Sequence, residues 1–128
     1  MSNATHITLT VSCEPHLARI VRMTAANVAA LSAMSVDRVE DIRMAAEEAF
    51  IYACGTAPCE DLLIDFDVDE SHVSMEFALP VSEFAEPSED GPAAAYADLI
   101  LGSVCDVYEK FDEPARLVLD LKADVYGV

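Results

Sequence analysis

Every second residue is apolar along Leu62–Val68 and again along His72–Leu79, and only Asp69–Glu70–Ser71 separates the two runs. Alternation of this kind marks strands with one covered face, and the short acidic turn joins them as a hairpin. Such a hairpin needs something to lie over its apolar side. The rest of the chain supplies candidates at helical spacing, which narrows the options to layered α/β folds.

A first strand is expected at Thr5–Ser12, where Ile7, Leu9 and Val11 alternate with His6, Thr8 and Thr10. Glu14–Pro15 then opens a helix, with proline suited to its first turn. Leu17, Ile20, Val21, Val28 and Leu31 repeat at helical spacing through about Met34. Ser35 is a good cap for a second helix, and Asp37 and Glu40 suit its positive end. The apolar stripe of that helix is Val36, Val39, Ile42, Ala46, Ala49, Phe50 and Ala53, and Gly55 followed by Pro58 ends it.

Pro80–Pro92 reads as a loop and Ala93–Cys105 as a third helix, with Tyr96, Leu99, Ile100 and Val104 turned inward. Asp106–Phe111 and Leu117–Leu121 complete the set as strands around the turn Asp112–Glu113–Pro114. Residues 1–128 therefore read as a single domain. The fold class is α/β: a two-layer sandwich in which a mixed, mostly antiparallel sheet of about five strands carries three helices on one face.

Composition limits the function classes. With 53% hydrophobic residues the chain has material for a core, so disorder is a poor reading. No apolar run reaches the roughly 20 residues that span a bilayer. The start, MSNATHITLT, lacks a basic segment followed by an apolar block, so no secretory signal is expected and a cytoplasmic location follows. The net charge is −17, and between Arg43 and Lys110 there is no lysine or arginine against sixteen acids. A chain so charged repels nucleic acid and anionic membrane. It suits either a basic protein partner or plain solubility by self-repulsion. Arg19, Arg22, Arg38 and Arg43 form the only basic cluster, placed either to contact an acidic partner or to balance neighbouring acids. The cysteines Cys13, Cys54, Cys59 and Cys105 lack the spacing of a zinc cluster and read as free thiols. No metal site is expected.

The second helix contains EDIRMAAEEAF, in which Asp41, Ala45, Glu48 and Tyr52 follow one another at steps of four, three and four residues. These four share a stripe beside the apolar face, where a pocket between helix and sheet would open. Taken alone, Glu47 and Glu48 read first as solvated helix acids. In this element order the segment resembles the bacterial anti-sigma-factor serine kinases of the histidine-kinase-like ATPase superfamily. Their helix reads D-I-x-x-A-x-x-E-A-x-x-N-A, matched here by Asp41, Ile42, Ala45, Glu48, Ala49 and Ala53. The tail AYADLILGSVCDVYEKFDEPARLVLDL is similar to the family's last helix and strand pair.

The resemblance implies a histidine-kinase-like ATPase fold, with Glu48 in the place of the general base and Tyr52 in the place of the asparagine that helps hold magnesium. Asp41 and Ala45 would line the pocket. A phenol is a poor ligand for a hard cation that favours compact oxygen donors. Where the family carries D-x-G-x-G, this chain has Leu79-Pro80-Val81-Ser82-Glu83-Phe84, and Gly91-Pro92-Ala93-Ala94 is all that stands for the glycine-rich helix start. Phosphate cradles use glycine so that backbone N–H groups can approach. Losing three charge-assisted hydrogen bonds at roughly 1.5–3 kcal/mol each weakens binding by several powers of ten.

Two functions are thus expected to compete. One is an anti-sigma regulatory factor with a degenerate, vestigial ATP site, a pseudokinase needing no cofactor. It would bind a sigma factor, an anti-sigma-factor antagonist, or both, and a homodimer is possible for the family. The other is an active serine/threonine kinase that uses ATP and magnesium, with Glu48 as base, to phosphorylate such an antagonist.

Overall fold

A computed structural model describes residues 4–57, 60–84 and 92–125. Strand β1 (Thr5–Ser12) leads through a 3-10 turn (Pro15–Leu17) into helices α1 (Ala18–Ala29) and α2 (Val36–Thr56). Strands β2 (Asp61–Val68) and β3 (His72–Ala78) form the expected hairpin. Helix α3 (Pro92–Val104) and strands β4 (Val107–Phe111) and β5 (Arg116–Lys122) complete the fold. Pro58, Cys59 and the 85–91 part of the expected loop lie outside the described residues.

The sheet order is β1-β2-β3-β5-β4, and every neighbouring pair is antiparallel. The expectation of a mixed sheet is corrected on this point. β3 and β4 run the same way, but β5 turns back from β4 and inserts between them, so no parallel neighbours arise. The α/β sandwich with a five-stranded sheet and three helices stands.

One sheet face is closed. Leu62, Ile64 and Phe66 of β2, Val73, Met75 and Phe77 of β3, and Leu117, Leu119 and Leu121 of β5 are all buried. Over them lie Val21, Ala25 and Val28 of α1, Ile42, Ala46, Ala49, Phe50 and Ala53 of α2, and Ala97 and Leu101 of α3. The alanines of α2 keep the α1–α2 backbones close, and Phe50 fills the space beneath at about 2–3 kcal/mol for a fully buried ring. Among the described residues no helix is long and apolar enough to cross a membrane.

Several expected inward residues face out: Ile20 of α1, Leu31 in the turn after it, Val36 at the start of α2, and Tyr96 (61% exposed) and Leu99 (69%) of α3. Helix α3 admits two apolar registers. The observed one buries Ala97, Leu101 and the following Cys105, and points Asp98 toward β4, where it pairs with Lys110 and Tyr108. The polar contact selects the register that apolar content leaves open.

Candidate functional site

Helix α2 starts where Ser35 accepts a hydrogen bond from the Arg38 N–H at 3.1 Å. Asp124 in turn accepts from the Ser35 N–H at 2.8 Å and from its hydroxyl. These hydrogen bonds hold the Asp124 carboxyl below its ordinary range, as an anion beside a helix N-terminus should be. The same first turn carries Arg38, whose guanidinium donates to Asp41 at 3.1 Å and to Asp106 at 2.6 Å. It also donates to the carbonyls of Lys122 (2.9 Å) and Val104 (3.2 Å). One side chain thereby ties α2 to the ends of α3 and β5 and the approach to β4.

Beside that tie is an open cleft of about 870 Å³, with Arg38, Asp41, Glu70, Asp106, Lys122 and Asp124 on its walls. Four carboxylates face two cations, and the arginine is already committed. Of the four residues expected along α2, only Asp41 reaches this cleft.

The others lie farther along. Ala45 is fully buried and offers no polar group. Glu48 is half-buried, and burial, reinforced by the neighbouring Glu47 charge, raises its carboxyl above the ordinary value. Glu47 pairs with Arg22 of α1 at 2.6 Å, whereas no ion pair of Glu48 is found among the described residues. A raised carboxylate stabilises the fold while protonated and loses that contribution as pH climbs through its folded value. Glu48→Gln is therefore expected to raise the melting temperature slightly at pH 7, with the gain vanishing below about pH 4. Thermal unfolding of both forms across that pH range checks this; equal curves at pH 7 would contradict it.

Tyr52 is 7% exposed and sits in a packed cluster. Its ring stacks on Phe84, centroids 5.5 Å apart and planes inclined by 21°. Its hydroxyl accepts from Lys110 Nζ at 3.1 Å, and that ammonium lies 5.3 Å from the Tyr52 ring centre and 5.8 Å from that of Phe84. Lys110 also donates to Asp98 Oδ2 at 3.0 Å, while the Tyr108 hydroxyl donates to Asp98 Oδ1 at 2.6 Å. Burial lowers the Lys110 pKa, but the hydrogen bonds to Tyr52 and Asp98 outweigh it and leave the ammonium held above its ordinary value. Burial and Asp98 push the Tyr108 phenol up. The cluster encloses one ammonium, Lys110, paired with one carboxylate, Asp98, beside the Tyr52 and Phe84 rings.

Phe84 arrives by backbone pairing. After β3, Leu79 N–H donates to Ala115 O (3.0 Å), Ala115 N–H to Val81 O (2.9 Å) and Glu113 N–H to Ser82 O (2.7 Å). The chain thus runs along the β4–β5 turn before Phe84 folds onto Tyr52. Sequence reading placed Tyr52 but missed Phe84, Asp98, Tyr108 and Lys110. Lys110 left one signal, as the first cation after Arg43 in a long acidic stretch.

Charge is distributed by face. Arg22, Arg38 and Arg43 pair with acids of the same chain, which favours the balancing role over partner contact. The sheet face opposite the helices carries Asp65 and Asp67 of β2, Glu76 of β3, Glu109 of β4 and Asp120 of β5 in neighbouring register positions. His6 lies across from the first two, at 3.4 Å from Asp65 and 2.9 Å from Asp67. Hydrogen bonding to Asp67 raises its pKa despite the opposing effect of desolvation. Among the described residues no group of three or more His, Cys, Asp or Glu is placed to hold a metal ion. The sequence matches no protein-family model and no curated protein.

Proposed function

We propose that this chain is a cytoplasmic anti-sigma-type regulatory factor that acts by binding other proteins, with its ancestral nucleotide site closed and no cofactor in use. The observation that carries the reading is the packing of Tyr52 against Phe84 and Lys110. In the family that this chain resembles, the Tyr52 position belongs to a magnesium-holding asparagine; here a buried ring occupies it, and the nearest ammonium is committed to Asp98. The residues present do not fit a magnesium-bound triphosphate.

The partner class is a basic face on a sigma factor or on a small antagonist domain, because a surface dominated by carboxylates steers cationic partners and speeds their encounter. The test is binding of the purified chain to sigma factors and antagonist domains from the same cell, without nucleotide. Binding is expected, with an association rate falling roughly ten-fold or more between about 50 and 500 mM salt. A flat salt response would remove the electrostatic part of the proposal, and binding only in the presence of ATP would remove its core.

The raised Glu48 carboxyl favours a second reading, an ATP-dependent serine kinase with Glu48 as base. Phosphoryl transfer depends on positioning and charge neutralisation, and here no described cation is free beside Glu48 to supply them. Transfer of labelled phosphate from ATP to an antagonist protein would establish that reading instead.

A further inference from the structure

Among the described residues the sheet ends in two free edges, β1 and β4, and they are unlike. β4 is short and carries Glu109 and Lys110, charges of the kind that discourage pairing with another chain. β1 is eight residues long (THITLTVS), rich in β-branched side chains, and holds no acid, lysine, arginine, proline or glycine. The ladder shows which of its backbone groups are open. One step past the Ser12–Asp61 pair, Cys13 donates its N–H to the Glu60 carbonyl at 2.8 Å. Bonded and non-bonded pairs alternate along an antiparallel ladder, so Ile7, Leu9 and Val11 also bond to β2. His6, Thr8 and Thr10 therefore turn N–H and C=O outward.

We infer that β1 is a self-pairing edge: two copies of this chain join their β1 strands antiparallel about a two-fold axis at Thr8, continuing one sheet across a homodimer. With Thr8 facing the partner's Thr8, His6 meets the partner's Thr10, and both members of each pair present outward N–H and C=O groups. The same register sets Ile7 beside the partner's Leu9 on the helical side. Ile7 and Leu9 are each half-buried against their own core, and the pairing removes apolar surface that is still exposed.

The helical layer leaves room for a second strand. α1 packs over β2, α2 over β3 and α3 beside β4, so the side of α1 away from α2 overhangs the β1 edge. Arg22 marks the α2 side through its pair with Glu47, and Ile20, about 200° around the helix from it, is 47% exposed. Charge selects a second copy as the occupant. β1 offers no carboxylate to a basic strand, and Asp65 and Asp67 beside it are already engaged by Thr8 and His6. Two chains of net charge −17 thus meet along strands that carry no acid.

Sedimentation of the full chain from about 1 to about 500 µM should show a monomer–dimer equilibrium. Because the chains repel elsewhere, its dissociation constant should fall several-fold between about 50 and 500 mM salt, the opposite sense to binding of a basic protein. Site-resolved amide exchange should show His6, Thr8 and Thr10 slowing as the dimer forms, with β4 unchanged. Thr10→Pro removes an outward N–H at an edge position where proline is tolerated, and should weaken the dimer roughly ten-fold or more. Ile20→Asp, at an exposed helix position, should weaken it too, and one of the two folding is enough for the comparison. A monomer throughout, a dimer whose β1 amides exchange as fast as the monomer's, or a dimer undiminished in the folded variant would overturn the proposal. So would a dissociation constant that rises with salt, or a monomer whose β1 pairs only with a basic peptide.

Discussion

Replacing Arg38 with alanine is expected to lower the stability of this protein by about 2–3 kcal/mol, roughly 10 °C in melting temperature. The guanidinium is 14% exposed and makes four hydrogen bonds, two to carboxylates and two to carbonyls. Its loss leaves Asp41 and Asp106 facing one another's charge without a counter-ion. Breaking a fully buried pair costs about 3–5 kcal/mol, and Asp41 and Asp106, at 40% and 36% exposure, recover some of that from water. Arg38→Lys should restore less than half, because an ammonium cannot reach four acceptors in a planar fork. Urea titration with an unchanged slope is the check. A loss under about 0.5 kcal/mol would make Arg38 an ordinary surface cation.

Tyr52→Asn, which introduces the residue type that the resembled family uses, is expected to destabilise by about 3 kcal/mol and to create no nucleotide affinity. The ring is buried against Phe84 and under Lys110, so truncation opens a cavity and removes both contacts. Tyr52→Phe keeps the stack and loses only the hydrogen bond from Lys110, at about 1 kcal/mol. The glycine-bearing turns with which the resembled family cradles phosphates are also missing from the sequence, so a single substitution supplies no phosphate site. Measurable ATP binding by Tyr52→Asn would mean that this fold can hold a nucleotide without those glycines.

The strands and the long helix were legible because alternation and capping are local. Thr5–Ser12 forms as expected, and Ser35 caps α2. Strand neighbours were not legible: alternation in Arg116–Lys122 says that one face is covered, not that the strand inserts between β3 and β4. Helix α3 misled because Tyr96 and Leu99 carry larger side chains than Ala97, yet Asp98 must reach Lys110 on β4. On α2 the spacing did put Asp41 and Tyr52 on one stripe. Eleven residues at about 1.5 Å each separate them by some 16 Å, so one edges the open cleft while the other is enclosed. Phe84, Asp98 and Lys110 join Tyr52 from three distant segments, and no periodicity connects such positions.

The central claim is that the chain's own side chains fill the space a nucleotide would need beside α2. Thermal unfolding of the unmodified protein with increasing magnesium and ATP tests it most directly, since any ligand bound by the folded state raises the midpoint by mass action. The account predicts the same melting temperature at zero and at several millimolar Mg·ATP. A saturable rise of several degrees, absent with magnesium chloride alone, would contradict it.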